Sequence, residues 1–178
     1  MKITNSTQKL LDLLLKIAST AKDNNKDYFI GGGFAIDLSV GKITRNHHDI
    51  DFHPMLKDYS WWQTWFKDQN YQVDDHANEN FTEISKIIDE KGKEIVDMWP
   101  FKLVKDKLLI KYQGIYIDSE RCWSETRTVV FQGVEVVIEN PLRVLHQKLR
   151  HAKKGQKLRP QDIHDIKLLN QDPKLLDL

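Results

Sequence analysis

The chain is short of cysteine, of proline and of any surplus charge, and each shortage narrows what it can be. A single cysteine, Cys122, among 178 residues excludes an internal disulfide framework and suits a reducing compartment, which points to the cytoplasm. The 27 basic and 26 acidic side chains leave a formal charge of +1. That balance lacks the clustered basic excess that a nucleic-acid partner selects, so none is expected. No apolar run approaches the length of a bilayer crossing, and the N-terminus lacks the order of a secretory leader. No membrane partner is expected either. The 5 prolines and 8 glycines mark out no linker, and no repeat or low-complexity tract interrupts the chain. At this length one domain is expected over 1–178, able to bury roughly 70% of its unfolded surface.

What the sequence does have is a dense centre, Tyr28 to Pro54. An apolar run, Tyr28 to Ile30, leads into three consecutive glycines, and a short helical segment, Phe34 to Val40, is closed by Gly41, suited to a left-handed cap. After a basic turn with Lys42 and Arg45, the segment Asp49-Ile50-Asp51-Phe52 alternates as a half-buried strand does. Asp49 and Asp51 then project to one face while Ile50 and Phe52 turn to the core. Two neighbouring carboxylates repel unless a cation lies between them, and a pair of Mg²⁺ ions, with their preference for oxygen ligands, meets that need. The glycines allow close backbone approach, and the helix beginning at Phe34 directs free N–H groups toward an anion. An anion cradle and a twin-carboxylate metal site in one unit are suited to moving a nucleotidyl group.

The string Gly32-Gly33-x3-Asp37-x3-Gly41-Lys42-x2-Arg45-x-His47-x-Asp49-x-Asp51 resembles the signature of the lincosamide and aminoglycoside nucleotidyltransferases, within the polymerase-β-like nucleotidyltransferase superfamily. The resemblance implies a Gly-Gly pair on a short helix, an Asp-x-Asp on the next strand and a third acid on a later strand. It also implies that Arg45 and His47 serve with Gly32 and Gly33 in nucleotide binding, by phosphate contact or by orienting the acids. Trp123-Ser124-Glu125 is similar to a segment of the lincosamide enzymes, which implies that Trp123 and Glu125 contact the acceptor. Asp162-Ile163-His164-Asp165-Ile166 resembles their C-terminal Lys-Asp-x-x-Asp-Ile segment, with Gln161 in place of the lysine.

The remaining elements follow from local pattern. Leu10, Leu13, Leu14, Ile17 and Ala21 recur at helical spacing and predict a helix over Ser6 to Ala21 with Ser6 as its cap. Asp58 to Gln69 reads as a second helix whose Trp61, Trp62, Trp65 and Phe66 are expected in the core. A hairpin is predicted from Phe81 to Asp89 and Glu94 to Trp99 about a Glu90–Lys93 turn, with Pro100 ending it. Leu103 to Ile117 suggests further short strands, and Thr128–Phe131 with Glu135–Ile138 a second hairpin about Gln132-Gly133. Asn140-Pro141 starts a helix running to about Lys154, and Arg159-Pro160 another. The basic turn Lys153 to Lys157 between them reads as solvated surface.

The expected fold is α/β (α+β): a small mixed sheet backed by helices, a nucleotidyltransferase fold with its core at about 28–100 and a helical part at about 140–178. Asp49, Asp51 and Asp97 are the expected catalytic acids and metal ligands. Asp97 is preferred as third acid because it ends the apolar strand Ile95-Val96, where a carboxylate needs a cation or a proton to handle, and because Asp97-Met98-Trp99-Pro100 is similar to the family's acid-x-x-Pro segment. Asp89, its rival, reads as turn chemistry. The expected co-substrates are an NTP, ATP foremost, with two Mg²⁺ ions, and a small hydroxyl-bearing acceptor; a homodimer is left open. Three alternatives stand beside this: a protein-modifying nucleotidyltransferase or antitoxin, a non-catalytic nucleotide-binding module, and a Zn²⁺ or Mn²⁺ hydrolase built on His47, His48 and His53.

Overall fold

The structure, a computed structural model, describes residues 3–75, 83–153, 155 and 157–171. In chain order its elements are α1 (Asn5–Asp23), β1 (Tyr28–Ile30), α2 (Gly32–Ser39), β2 (Ile50–Pro54), α3 (Tyr59–Asp68), β3 (Gln72–Asp75), β4 (Ser85–Ile88) and β5 (Glu94–Met98). There follow β6 (Lys102–Val104), β7 (Lys107–Tyr112), β8 (Ile115–Cys122), β9 (Arg127–Phe131), β10 (Val134–Ile138), α4 (Pro141–Lys153) and α5 (Pro160–Gln171). Seven strands form one mixed sheet in the order β3-β4-β5-β2-β1-β10-β9, and β6-β7-β8 form a separate antiparallel ribbon. A mixed sheet backed by helices is as the sequence leads one to expect, though larger than a small sheet.

Strand alternation sorts the sheet into two faces. Tyr28, Ile30, Ile50, Phe52, Val96, Met98, Val136 and Ile138 join α1, α2 and α3 in the main core. Trp62 and Phe66 of α3 are fully buried there, with Phe52 packed edge-on against both. Each such side chain contributes on the order of 1.5–3 kcal/mol by leaving water. Phe29 points the opposite way and packs with Met55, Phe101 and Leu108 beneath the ribbon. The acids Asp51 and Asp97 alternate with core residues of β2 and β5, so they share this second face with Phe29 and lie outside the helical layer.

Several boundaries differ from expectation for physical reasons. Thr4, not Ser6, caps α1, its hydroxyl accepting from the Thr7 amide at 3.3 Å. The helix after β1 starts at Gly32 rather than Phe34 because Gly31 serves as its cap, its carbonyl receiving the Ala35 amide. Asp49 precedes β2 rather than lying on it. Edge strand β3 (Gln72–Asp75) escaped notice because it has no apolar alternation. Of the predicted Phe81–Asp89 strand, β4 begins at Ser85, while Phe81 and Thr82 lie outside the described residues, as do Lys154 and Gln156 of the basic turn.

Candidate active site

The site is built on three adjoining strands. β1 and β2 are antiparallel, with Ile30 opposite Phe52, and β2 and β5 are parallel, with Asp51 beside Asp97. Lys86 of β4 stands opposite Asp97. Its ammonium is bonded to the Asp97 carboxylate and lies 3.4 Å from Glu94. Burial alone would lower the Lys86 pKa, but these carboxylates outweigh it and hold it above its ordinary value. On the other side of β1, the backbone of Glu139, just past β10, donates to the Ile30 carbonyl at 2.8 Å. A row of carboxylates therefore crosses the sheet from Asp97 through Asp51 to Glu139.

The three glycines are where this row meets the backbone. A methyl group on Gly32, whose φ is +58°, would overlap the Asp51 carboxylate, and one on Gly33 would overlap the Arg45 guanidinium. Both crowding and the left-handed φ demand glycine at position 32. At Gly31 an added methyl would lie 2.7 Å from His53 Nε2 and 3.2 Å from Glu139 Oε2. The chain thus gives up side chains at three successive positions so that charged groups can approach the start of α2.

The Asp51 carboxyl is pushed up to about 6, first by burial and then by the charges of Asp49, Asp97 and Glu139, with Lys148 pulling the other way. This is what uncompensated like charge does to an acid. Glu139, itself buried, is held by Arg121 at 2.6 Å, and that guanidinium lies over the Phe101 ring. His53 is lowered to about 3, chiefly by burial and secondarily by Arg121, so it stays neutral with Nδ1 bonded to the Trp99 carbonyl at 3.2 Å.

Arg45 and His47 are engaged elsewhere. Arg45 grips the buried Asp165 of α5 through two bonds, 2.8 and 3.1 Å. His47 bonds the buried Asp37 at 2.7 Å and stacks on Phe34. Asp37 also accepts from the Thr44 amide, and the Thr44 hydroxyl reaches His164 of α5 at 2.8 Å. Burial would raise Asp37, but His47 and Thr44 hold it below the usual carboxylate range. Lys148 of α4 joins Asp162 at 2.6 Å and Asp165 at 3.2 Å, and Arg159 closes on Asp162 at 2.9 Å. The C-terminal helices are strapped in this way to the turn that carries Asp49.

The structure sets Asp51 beside Asp97 and against Gly32, with Asp49 on the turn before β2 near enough for its charge to act on Asp51. Arg45 and His47 lie against Gly33 at the start of α2, each held there by a buried aspartate. Trp123 packs against the Phe29–Phe101 cluster, and Glu125 faces Arg143 at 3.1 Å, both to the Glu139 side. His47, His48 and His53 do not converge: the first serves Asp37, the second is exposed and the third is buried against Trp99. The Zn²⁺ or Mn²⁺ hydrolase reading is corrected on that ground. Among the described residues no three His, Cys, Asp or Glu side chains stand at metal-holding distance of one another. The carboxylate oxygens of Asp49 and Asp51, neighbours on the turn and the start of β2, are hard donors of the kind that fit Mg²⁺. Asp97, drawn toward Lys86, would have to release that lysine to join them.

Sequence reasoning missed Lys86, Arg121, Glu139, Lys148 and Arg159. Glu139 carried a usable signal, because it ends the apolar strand Val134–Ile138 just as Asp97 follows Ile95-Val96. Arg159 carried a local one, standing three residues before Asp162 at the start of α5; Lys86, Arg121 and Lys148 carried none, since each is recognised only by a partner on another element.

A mixed sheet carrying this acid row beside a glycine-led helix defines a protein of the nucleotidyltransferase fold. More particularly, the chain belongs to the aminoglycoside-2''-adenylyltransferase family, whose profile matches residues 13–169. Its fold is similar to that of the lincosamide antibiotic adenylyltransferase LnuA in its lincomycin-bound crystal structure, with a TM-score of 0.72 and 19% identity over 96% of this chain and 99% of that one. It is also similar to ANT(2'')-Ia in complex with adenylyl-2''-tobramycin, with a TM-score of 0.67 and 19% identity over 96% of this chain and 93% of that one. A 2''-aminoglycoside nucleotidyltransferase of Escherichia coli is 49% identical over 39 residues, and this match spans 22% of each chain. No helix among the described residues is long and apolar enough to cross a membrane.

Proposed function

We propose that the protein transfers a nucleoside monophosphate from an NTP, ATP foremost, to a hydroxyl of a small molecule of the antibiotic class, releasing pyrophosphate. The observation that carries this reading is the acid row: Asp51 beside Asp97 on parallel strands, next to Gly32, with the Asp51 carboxyl raised by burial and then by its neighbours' charge. Asp49 and Asp51 would hold Mg²⁺, two ions in the full complex. When bound, the metal supplies charge neutralisation for the triphosphate and the departing pyrophosphate.

The chain's own residues do the rest. Backbone N–H groups at the start of α2 receive phosphate oxygens, and a side chain at Gly32 or Gly33 would block that approach. Arg159, which feels the charges of Asp49 and Asp51, and Lys148, which feels that of Asp51, present positive charge on the phosphate side. Asp97 accepts the proton of the acceptor hydroxyl as its oxygen bonds to the α-phosphorus and the α–β bridging bond breaks. Lys86 holds the Asp97 carboxylate in place until then. Arg45 and His47 act in nucleotide binding through position, by fixing the turn before Asp49. Trp123 and Glu125 are assigned to the acceptor side. An NTP-dependent reaction of this kind, with a free Cys122 and no need of an oxidising compartment, suits the cytoplasm.

The test is to incubate the chain with α-labelled ATP, Mg²⁺ and a panel of hydroxyl-bearing antibiotics and to follow the label. Transfer to a small molecule with one pyrophosphate per label is the expected outcome. Label on a protein, or ATP binding without turnover on any acceptor, contradicts the reading.

A further inference from the structure

On the proposed reading of the acid row as a nucleotidyltransferase site, we infer that Glu94 is a second seat for Lys86. The lysine rests on Asp97 until that carboxylate turns to a metal ion, and then crosses to Glu94. Glu94 is in this way a positioning residue, and it helps to set the metal affinity of a site to which it is not itself a ligand.

Strand β5 is irregular where this matters. In a regular strand, residues three apart point to opposite faces, so Glu94 and Asp97 should not meet the same partner. The ladder to β4 is broken, however: Ile87 stands opposite Val96, but Ile88 stands opposite Glu94, which leaves Ile95 as an extra residue on β5. Ile95 and Val96 are both buried in the main core. Two successive side chains turn inward, and the alternation beyond them is reversed. A bulge of this kind bends the ladder and re-aims a side chain. Here the side chain it delivers to the acid face is a carboxylate.

What that carboxylate meets is Lys86. The Lys86 ammonium is bonded to Asp97 and lies 3.4 Å from Glu94 Oε2. The Lys86 and Asp97 side chains are each 22% exposed and that of Glu94 is 61% exposed, so Asp97 is the better shielded and stronger partner. Asp74, opposite Lys86 on β3, adds a further carboxylate to this flank. One ammonium is therefore shared among an excess of acids, and it can leave Asp97 without leaving negative surroundings.

Asp97 has to be released before it can bind a metal ion, because an ammonium and a divalent cation on one carboxylate repel each other. A lysine suits that exchange. Its charge is a single point on a flexible stem, whereas an arginine fork would grip Asp97 at two points. With Glu94 already in reach, rotation of the last torsions completes the crossing. Were Glu94 uncharged, the displaced ammonium would lose its nearest other partner, and Asp97 would be harder to free.

The test is Mn²⁺ binding to the full chain, with Mn²⁺ in place of Mg²⁺ because it takes the same oxygen ligands. Free ion is followed by its electron paramagnetic resonance signal in wild type, Lys86→Met, Glu94→Gln and the double variant. Lys86→Met is expected to tighten binding by at least about fivefold. Glu94→Gln is expected to weaken it by about twofold to fivefold in the wild-type background, and to change it by less than about 1.5-fold once Lys86 is gone. Lys86→Gln takes the place of Lys86→Met if the latter does not fold. An equal loss from Glu94→Gln in both backgrounds overturns the inference, since Glu94 would then act only as a distant charge. So does a Glu94→Gln protein with wild-type affinity, a Lys86 variant that binds no more tightly than wild type, or a wild-type chain that binds no Mn²⁺. Pyrophosphate release from ATP and Mg²⁺ with hydroxyl-bearing acceptors in parallel samples separates the two readings. The expected affinities without any release overturn the reaction and leave the second seat standing; release without the expected affinities does the reverse.

Discussion

Two groups of aspartates lie close together in this molecule and have been driven in opposite directions. Asp51 is buried and faces other carboxylates, and burial first and their charge second raise it to about 6. Asp37 and Asp162 face His47, Thr44, Arg159 and Lys148 and are held below the usual carboxylate range despite burial that would raise them. A carboxylate among cations has found its partner within the chain and serves stability. A carboxylate buried among carboxylates has no such partner in its own row, and on the proposed function its cost to the fold is met by a bound cation. The residue type is the same in both places; the neighbours decide its role.

The comparison can be broken most sharply in the acid row. Asp49→Asn and Asp51→Asn are each expected to abolish nucleotidyl transfer while the melting temperature holds or rises slightly, since like-charge repulsion is relieved. A scanning-calorimetry trace that collapses in either variant would move these acids into the structural group. Asp97→Asn comes next. A general base contributes about 10²–10⁴-fold, so turnover should fall by that factor while the affinity for ATP and Mg²⁺ changes far less than in the Asp49 variant. Full turnover in Asp97→Asn, with loss in Asp89→Asn, would redraw the site around the β4–β5 turn.

The strap should answer the other way. Asp165 is fully buried against Arg45 and Lys148, and removing it leaves their positive charges without a counter-charge. Asp165→Ala is expected to cost about 3–5 kcal/mol in denaturant unfolding; a loss near zero would mean that the strap is ornamental. The smallest effect is one of pH. Asp37 and Asp162 titrate lower in the fold than in the unfolded chain, so their stabilisation is present above about pH 4 and is lost as pH falls toward the folded values. The melting temperature should therefore drop as pH is taken from about 5 to about 3, and Asp37→Asn should flatten part of that limb. A limb unchanged in the variant would show that Asp37 is not held low.

The same contrast explains what could be read from the sequence. Tyr28–Ile30, the glycines, Asp51 and the β4–β5 hairpin are local patterns: alternation, turn chemistry and spacing each announce themselves within a few residues. The acid row was therefore legible almost whole, apart from Glu139. The strap was not. Arg45 binds Asp165 across 120 residues and Lys148 binds Asp162 from the neighbouring helix, and no local pattern predicts which arginine meets which aspartate. Arg45 and His47 are expected from the sequence to contact phosphate or to orient the acids, while their buried partners Asp165 and Asp37 cannot be seen from the chain alone. The start of α2 was misjudged for a related reason. Glycines argue against a helix by propensity, yet here Gly32 and Gly33 are required by the side chains that press against them.

The most direct measurement is pyrophosphate release from ATP and Mg²⁺ in the presence of an accepted hydroxyl compound, comparing wild type with Asp51→Asn at equal folded concentration. Release in the wild type, matched one for one by nucleotidylated acceptor and absent from the variant, is the expected result. Equal release from both proteins, or inorganic phosphate in place of pyrophosphate, would contradict the assignment of the acid row to nucleotidyl transfer.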